Sequence, residues 1–446
     1  MFKKLTESIV HQLDPKGDLV PVPSFSDHEH FRPLCLVKRK RKSIFHLFPR
    51  YEQTHYRLDS MLLPREGIES LFANRGDKDS SKFKLKKSYS DRVDGNLSVP
   101  VDCASAEVTG AASSSQAWSI TLEKNHIPLT ELDALQAKRK MDMNHTFIQQ
   151  LKKSQQVLYV VHETIEASEE TSYEESTEAG GGFMAQFYAK FNVKGTRVKK
   201  QSMTIPKGCA LAFRAIQLGI TDESWYLDYF PYETRTMFVS DGSSPGKLVE
   251  LEVELKENCQ ILSTLSPDLL RIFLKAIKAV MRDTNLFQEL TQKMDAVLHD
   301  TGGSGLETES PDLKELLSSL QNSSRDLLLE LARAIAYTLD ALDELMEDQL
   351  VLLLEALEEK ILPQWLKLVG SILEHDIEDI AGPFSVDPTL FSFPQEKEQE
   401  LTIALVGMSG VKLQNDGSAL CMDNAFPAVA ALYVSLYILS LLSNSD

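Results

Sequence analysis

Three short motifs of the chain resemble those that carry catalytic groups, and each lacks a part that its chemistry requires. Asp300-Thr301-Gly302 matches the tripeptide around an aspartic-protease carboxylate, but that chemistry needs a second such loop to share a proton, and the sequence has none. Gly407-Met408-Ser409-Gly410-Val411 misses the nucleophile elbow G-x-S-x-G because valine stands in the last position. The glycine run at 179–182 lacks the lysine of a phosphate-binding loop. We therefore expect no enzyme and no cofactor, and the ten histidines, which show no HExxH spacing, predict no metal site.

A different chemistry, cleavage by another protein, fits residues 237–247, MFVSDGSSPGK. Phe238-Val239-Ser240-Asp241 is an aromatic-x-x-Asp tetrapeptide of the kind a specific protease recognises. Gly242 opens a Gly-Ser-Ser-Pro-Gly run that is typical of a flexible linker. An Asp-Gly turn would have the same sequence, so the tetrapeptide alone leaves both interpretations open.

The net charge of the chain is divided unevenly at Asp241. Residues 1–241 hold 33 Lys and Arg against 31 Asp and Glu, a net of +2. Residues 242–446 hold 14 against 34, a net of -20. The first half is therefore the better candidate for contact with anionic lipid or nucleic acid, and the acidic second half is a poor one.

Cysteine spacing and the chain's first residues favour a cytosolic protein. The five cysteines show no paired spacing, which predicts free thiols in a reducing compartment. The first 15 residues contain no apolar run suited to a secretory signal. Residues 425–442 are apolar enough to span a membrane, but Pro427 and the absence of flanking cations favour a buried terminal helix over a membrane anchor.

Hydrophobic periodicity changes between the two halves. Leu5 and Ile9 predict an opening helix, stretches 157–165 and 209–220 predict buried strands, and 93–108 and 116–124 predict a weaker strand pair. The clearest alternation lies over 183–193, where every second residue is apolar: Phe183, Ala185, Phe187, Ala189, Phe191 and Val193.

Beyond the linker the apolar residues recur every three or four positions. The first such helix begins at the Ser266-Pro267 cap signal, and residues 323–362 predict two more helices. We predict an α+β fold: an N-terminal twisted antiparallel sheet with helices over 1–234, a linker over 235–247, and an all-α domain over 248–446.

The most informative stretch of the first half is a basic run followed by an apolar loop. Five consecutive cations (Lys38, Arg39, Lys40, Arg41 and Lys42) precede the apolar residues Ile44, Phe45, Leu47 and Phe48. Cations beside exposed aromatic residues favour an anionic membrane surface, and a nuclear or nucleic-acid patch is the alternative. The strand over 183–193 has the length and alternation of a transmembrane barrel strand, although a half-buried strand of a soluble sheet shows the same pattern.

Taken together, several stretches of the chain resemble the gasdermin family, and the similarity covers nearly the whole length. They are GDLVPVPS (17–24), CLVKRKRKS (35–43), LYVV (158–161), TIPKGCALAFRAIQL (204–218), EKILPQWLKLV (359–369) and LTIALVGMSG (401–410). The resemblance implies an N-terminal pore-forming domain that is held inactive by a helical C-terminal domain. Proteolysis of the linker then frees the first domain to bind acidic lipids, oligomerise and form a large β-barrel, and pyroptotic lysis with cytokine release follows.

The resemblance also implies roles for individual residues. Phe45 and Phe48 resemble the loop that docks into the inhibitory domain, although the family's usual tryptophan is absent here. Tyr337 and Ala341 match its pocket, and Leu251 matches a further packing residue. The implied lipid-binding residues are Lys3, Lys4, Lys38, Arg39, Lys40, Arg41, Lys42, Phe45 and Phe48.

The linker tetrapeptide suits an inflammatory caspase, which requires Asp before the scissile bond and prefers a small residue after it. Asp241 followed by Gly242 is the predicted cut, and Asp300 is the rival site. The expected partners are this caspase, acidic phospholipids (phosphoinositides, cardiolipin and phosphatidylserine) and further copies of the chain, with no nucleic acid. We expect a cytoplasmic full-length protein and an inner-leaflet, then transmembrane, cleaved fragment; the alternative is a non-lytic interaction protein with nuclear or nucleic-acid contacts.

Overall fold

The chain divides into two compact units. The second unit includes a short segment that interrupts the sequence of the first. The structure, a computed structural model, describes residues 2–15, 17–40, 42–63, 82–93, 112–154, 156–175, 201–221, 224–229, 246–298, 306–375, 377, 382–393, 395–414, 417–422 and 424–443. The first unit comprises Met1–Lys42 and Phe48–Thr236, and the second comprises Ser43–Leu47 and Met237–Asp446. The domain boundaries at 234 and 248 stay a prediction.

The first unit combines three described helices with an antiparallel sheet. The helices are α1 (Phe2–Leu13), α2 (Leu129–Lys138) and α3 (Thr146–Ser154). The described strands are β1 (Val20–Pro21), β2 (Cys35–Arg39), β3 (Tyr51–Arg57), β4 (Lys82–Val93), β5 (Ala112–His126), β6 (Leu158–Ala167), β7 (Thr171–Glu175), β8 (Gln201–Ile205), β9 (Ala210–Ile220) and β10 (Trp225–Asp228).

Strands β6 and β9 form the centre of the main sheet. The strand order is β1-β9-β6-β2-β3, with β10 beside β9, β5 beside β6 and β4 beside β5, while β7 and β8 pair separately. The described pairs are all antiparallel. The first four residues of β9 are buried, as expected of a central strand covered on both faces.

The alternation of side chains along these strands creates two cores, one on each face of the sheet. Val37 and Val161 belong to one core, whereas their neighbours Leu36 and Val160 belong to the other. Burying a valine or leucine contributes roughly 1.5 to 3 kcal/mol relative to an exposed side chain. The first core also receives Leu5, Ile9 and Val10 of α1, and the second receives Leu132, Leu135, Ile148 and Leu151 of α2 and α3.

One predicted strand pairing is wrong. The stretch 116–124 lies in β5, and its partner is β4, not the predicted stretch 93–108, of which only Val93 lies in the described residues. The register places Lys82 opposite Glu123 and Phe83 opposite Leu122. Cross-strand pairs of opposite charge and of apolar side chains stabilise this register.

A cluster of charged side chains joins the segment that follows α1 to the central strands of the first unit. Arg214 of β9 donates to Asp18 at 2.6 Å and also binds the carboxylates of Asp14 and Glu163. Lys124 of β5 lies 2.6 Å from the second oxygen of Glu163. Glu163 is 6 % exposed, and a carboxylate this deeply buried needs paired cations.

Arg214→Met is expected to lower the free energy of unfolding of the first unit by about 2 to 3 kcal/mol, because Glu163 keeps only one cation. The loss falls below that of a fully buried pair because the Arg214 side chain is 25 % exposed. Urea unfolding followed by hydrogen exchange at β6 and β9 measures it. Arg57→Met is the control, because the Arg57–Asp59 pair is exposed; equal losses in the two variants would contradict the prediction.

The second unit is mainly helical, and with the sheet of the first unit it confirms the predicted fold class. Its described helices are α4 (Lys247–Cys259), α5 (Pro267–Val280), α6 (Thr284–Leu298), α7 (Pro311–Gln321), α8 (Arg325–Asp343), α9 (Glu347–Glu358), α10 (Leu362–Leu373), α11 (Glu396–Met408) and α12 (Ala425–Ser443). Three short strands, β11 (Phe384–Ser385), β12 (Val411–Leu413) and β13 (Ser418–Cys421), form a small antiparallel sheet.

Local signals account for where several of these helices begin. The Ser266 hydroxyl accepts a hydrogen bond from Leu269 N and caps α5, and Pro267 occupies its first turn. Ser324 caps α8 in the same way through Leu327 N. The predicted pair of helices over 323–362 is confirmed as α8 and α9.

Helix α12 is the central core helix of the second unit. It is long and apolar enough to cross a membrane, and 78 % of its most apolar 18-residue stretch is buried. It packs against α5, α8 and α10. A helix that is apolar on every side and covered by other helices belongs to a protein core, so the predicted buried terminal helix is confirmed.

Candidate functional site

The basic run continues the hairpin formed by β2 and β3. Lys38 pairs with Glu52 across the two strands, and Lys40 N donates to Arg50 O at 2.9 Å. Arg39 and Lys42 are exposed, and Lys38 and Lys40 are half-buried. The hairpin therefore presents cations directly before residues 43–47.

Residues 43–47, which we call the apolar turn, belong to the second unit. Phe45 is fully buried, and its ring lies 5.4 Å from the Tyr337 ring in an edge-on arrangement. Such aromatic pairs contribute about 0.5 to 1.5 kcal/mol beyond the area that they bury. Phe48 is half-buried against the core of the first unit, so the structure separates the two phenylalanines that sequence analysis had grouped.

Helices α4 and α8 carry the other residues predicted to take part in inhibition. Tyr337 and Ala341 lie four residues apart on α8, are 5 % and 0 % exposed, and so share one buried helix face. Leu251 is fully buried on α4, which packs against α8. The structure thus brings Phe45 into contact with Tyr337. It also buries Ala341 on α8 and Leu251 on α4.

A polar contact accompanies the aromatic one. The main-chain N–H of Ile44 donates to the two carboxylate oxygens of Glu254 at 3.1 and 3.4 Å. Sequence reasoning missed Glu254, because α4 carries several glutamates and the sequence does not show which of them meets the apolar turn. Its spacing of three residues from the buried Leu251 was the available signal.

The remaining predicted residues lie partly or wholly outside the described residues. Lys3 is half-buried on α1, whereas the side chain of Lys4 and the whole of Arg41 are not described. The cleavage residues Phe238 to Gly242 and the alternating strand Phe183 to Val193 also lie outside them. Their roles stay predictions.

Of the three motifs considered above, the structure describes only the one at 407–411. Ser409 follows the end of α11, is 2 % exposed, and its hydroxyl accepts a hydrogen bond from Gln349 at 2.8 Å. Gly410 then adopts a φ of 86°, which turns the chain into β12. No group of three metal-binding side chains occurs among the described residues.

The described cysteines are free thiols. Cys35, Cys209 and Cys259 are buried and Cys421 is half-buried. Burial raises the pKa of Cys209 and of Cys259 to about 12, which keeps both thiols protonated at neutral pH. These two side chains therefore serve packing, not nucleophilic chemistry.

Comparison with known proteins assigns both parts of the sequence. The Gasdermin pore forming domain matches residues 1–238, and the Gasdermin PUB domain matches residues 247–420. The chain belongs to the gasdermin family. This confirms the predicted resemblance, and since gasdermins are pore-forming proteins, it also confirms that the chain is not an enzyme.

This gasdermin is similar over its whole length to curated relatives. It is 32 % identical to Gasdermin-A of Mus musculus, with 100 % of each chain covered. It is 31 % identical to Gasdermin-A of Homo sapiens, again with 100 % of each chain covered. A solved structure, the cryo-EM structure of the Gasdermin A3 membrane pore, is 28 % identical, with 52 % of this chain and 96 % of that chain covered and a TM-score of 0.38.

Proposed function

We propose that this gasdermin is an autoinhibited pore former that an inflammatory caspase activates by cutting after Asp241. The domain of residues 1–234 is the pore former, 235–247 the cleaved linker and 248–446 the inhibitor. Once released, the first domain binds acidic lipids of the inner leaflet, oligomerises with further copies, and refolds into a β-barrel. Lysis of the cell and release of cytokines follow.

The observation that carries this proposal is the position of Phe45. It is fully buried against Tyr337 within the second unit, whereas the flanking residues Lys42 and Phe48 belong to the first. An aromatic side chain at the end of a basic hairpin is well suited to enter a lipid surface. While Phe45 is buried among helices it cannot do so, and this supports inhibition by occlusion.

The charge division supports the same mechanism. The net of -20 over residues 242–446 offsets the attraction of the basic run for an anionic membrane while the chain is intact. Cleavage at Asp241 removes that offset and leaves a fragment with a net of +2. Full-length protein in the cytoplasm and cleaved protein at the plasma membrane follow from this difference.

The barrel itself is supported by strand alternation. A closed barrel satisfies every backbone hydrogen bond within lipid, and its strands need about 9 to 11 residues with one apolar face. The stretch 183–193 meets both requirements. Phosphoinositides, cardiolipin and phosphatidylserine are the proposed lipids because each presents anionic groups to the cations at 38–42.

Neutralising Lys38, Arg39, Lys40, Arg41 and Lys42 to Gln is expected to weaken binding of the cleaved protein to acidic vesicles. Each cation near an anionic surface contributes about 1 kcal/mol, so the affinity is expected to fall by at least 100-fold. Vesicle co-sedimentation at 50 and 300 mM salt measures it, with the loss larger at low salt. Lys140→Gln and Lys207→Gln, at two exposed cations elsewhere in the first unit, form the control. Binding that does not change with salt would assign recognition to the aromatic residues.

Incubation of the full-length chain with an inflammatory caspase tests the proposed function directly. Fragment masses should locate the cut after Asp241, and dye should leave liposomes that contain phosphatidylserine but not neutral ones. A non-lytic interaction protein would be cut without releasing dye. Cutting at Asp241 with intact liposomes would therefore overturn the pore.

A further inference from the structure

The apolar turn is closed by two hydrogen bonds of its own. The Ser43 carbonyl accepts from His46 N at 3.0 Å, and Ser43 N donates to His46 Nδ1 at 3.2 Å. Both main-chain polar groups of Ser43 are therefore satisfied inside the turn. The amide of Ile44 instead donates to a side chain outside it, the carboxylate of Glu254.

Glu254 lies on the inward-facing stripe of α4. Leu251 and Asn258, three residues before and four residues after it, are both buried, and the Asn258 amide donates to the Glu254 carbonyl at 2.7 Å. The other acidic side chains of this helix differ. Glu250 is exposed, and Glu252 accepts a hydrogen bond from the Tyr433 hydroxyl at 3.1 Å.

The contact between Glu254 and Ile44 is a charge-assisted hydrogen bond to the main chain. Such bonds are roughly twice as strong as those between neutral groups, and partial burial strengthens them further. Burial of Phe45 among apolar side chains does little to fix the orientation of its ring, because hydrophobic contacts are not directional. The Glu254 carboxylate, bound to the amide of the preceding residue Ile44, fixes the orientation of the turn. It thereby fixes the position of the Phe45 ring.

We propose that Glu254 is a positioning residue for inhibition: it recognises the main chain of the apolar turn and holds Phe45 against Tyr337. The inference rests on the proposed function, and it adds a polar contact to the aromatic contact between Phe45 and Tyr337. Because Glu254 binds a main-chain amide, the inhibitory contact tolerates changes of side chain at position 44 but not loss of the amide.

The test uses Glu254→Gln and Glu254→Ala in the full-length, uncleaved chain. Glu250→Gln and Glu250→Ala are matched controls, because they make the same charge change at an exposed site on the same helix. Peptides covering residues 40–50 report hydrogen exchange, and acidic liposomes report dye release. We expect exchange in the turn to rise about tenfold for Glu254→Ala and less for Glu254→Gln, as loss of a charge-assisted bond requires.

Dye release without caspase is expected to rise with exchange in the Glu254 variants and to stay at the wild-type level in the controls. Unchanged exchange in the turn, or faster exchange with no leakage from a chain that leaks normally once cut, overturns the role of Glu254. Equal effects at Glu250 would assign leakage to net charge and overturn it as well. A cut wild-type chain that releases no dye overturns the proposed function instead, while the exchange measurement still decides whether Glu254 holds the turn.

Discussion

Asp241→Ala will leave the full-length chain uncut by an inflammatory caspase and will abolish caspase-triggered dye release from acidic liposomes. The caspase pocket that binds the Asp241 carboxylate has polar groups that pair with it. When alanine replaces the aspartate, those polar groups are left unpaired. Discrimination of this kind reaches on the order of 10⁴-fold in rate. Timed fragment masses and dye release on the same samples measure the two losses together.

Two control variants make the result for Asp241 specific. Ser240→Ala keeps the aspartate and the flexible run, so we expect cleavage and leakage close to those of the wild type. Asp300→Ala removes the rival site, and it should likewise leave both intact. Full leakage from Asp241→Ala together with its loss in Asp300→Ala would move the activating cut into the inhibitory half.

Ala341→Asp will release dye from acidic liposomes without any protease, and cells that express it will die. Ala341 is fully buried on α8, four residues from the Tyr337 ring that contacts Phe45. An unpaired charge in such a site costs about 3 to 5 kcal/mol, which corresponds to more than 100-fold in an equilibrium constant. The variant should therefore shift the chain toward a state in which the apolar turn is free.

The control for Ala341→Asp is Ala336→Asp, which adds the same charge to the same helix at a half-buried position. We expect it to leak far less. Hydrogen exchange over residues 40–50 distinguishes release of the turn from general unfolding of the helical unit, which would also speed exchange in α12. Healthy cells and unchanged exchange with Ala341→Asp would count against docking of Phe45 as the basis of inhibition.

The two contacts that we propose to be inhibitory predict a coupled response. The aromatic contact of Phe45 with Tyr337 and the carboxylate contact of Glu254 with Ile44 involve adjacent residues of one turn. Neighbouring interactions of this kind are coupled. We therefore expect the fold-increase in dye release from the double variant Ala341→Asp, Glu254→Ala to be smaller than the product of the fold-increases of the two single variants.

Several features followed from the sequence alone because their causes are local. The switch from two-residue to 3.6-residue periodicity predicted a sheet unit followed by a helical one, and both are present. The Ser266-Pro267 signal predicted the start of α5, since a cap depends only on residues within one turn. The basic run and the aromatic-x-x-Asp tetrapeptide needed no folding at all to be recognised.

Other features were decided by tertiary structure, because they join residues that are far apart in the chain. Residues 44 and 254 are brought together by packing. The spacing from Leu251 places Glu254 on the buried face of α4, but it does not indicate which residue Glu254 contacts. The partner of β5 was mispredicted because alternation reveals which face a strand buries but not which strand lies beside it. The division of Phe45 and Phe48 between two units has the same reason. Apolar residues that are consecutive in the sequence can pack in different cores, and only the tertiary structure shows in which core each side chain is buried.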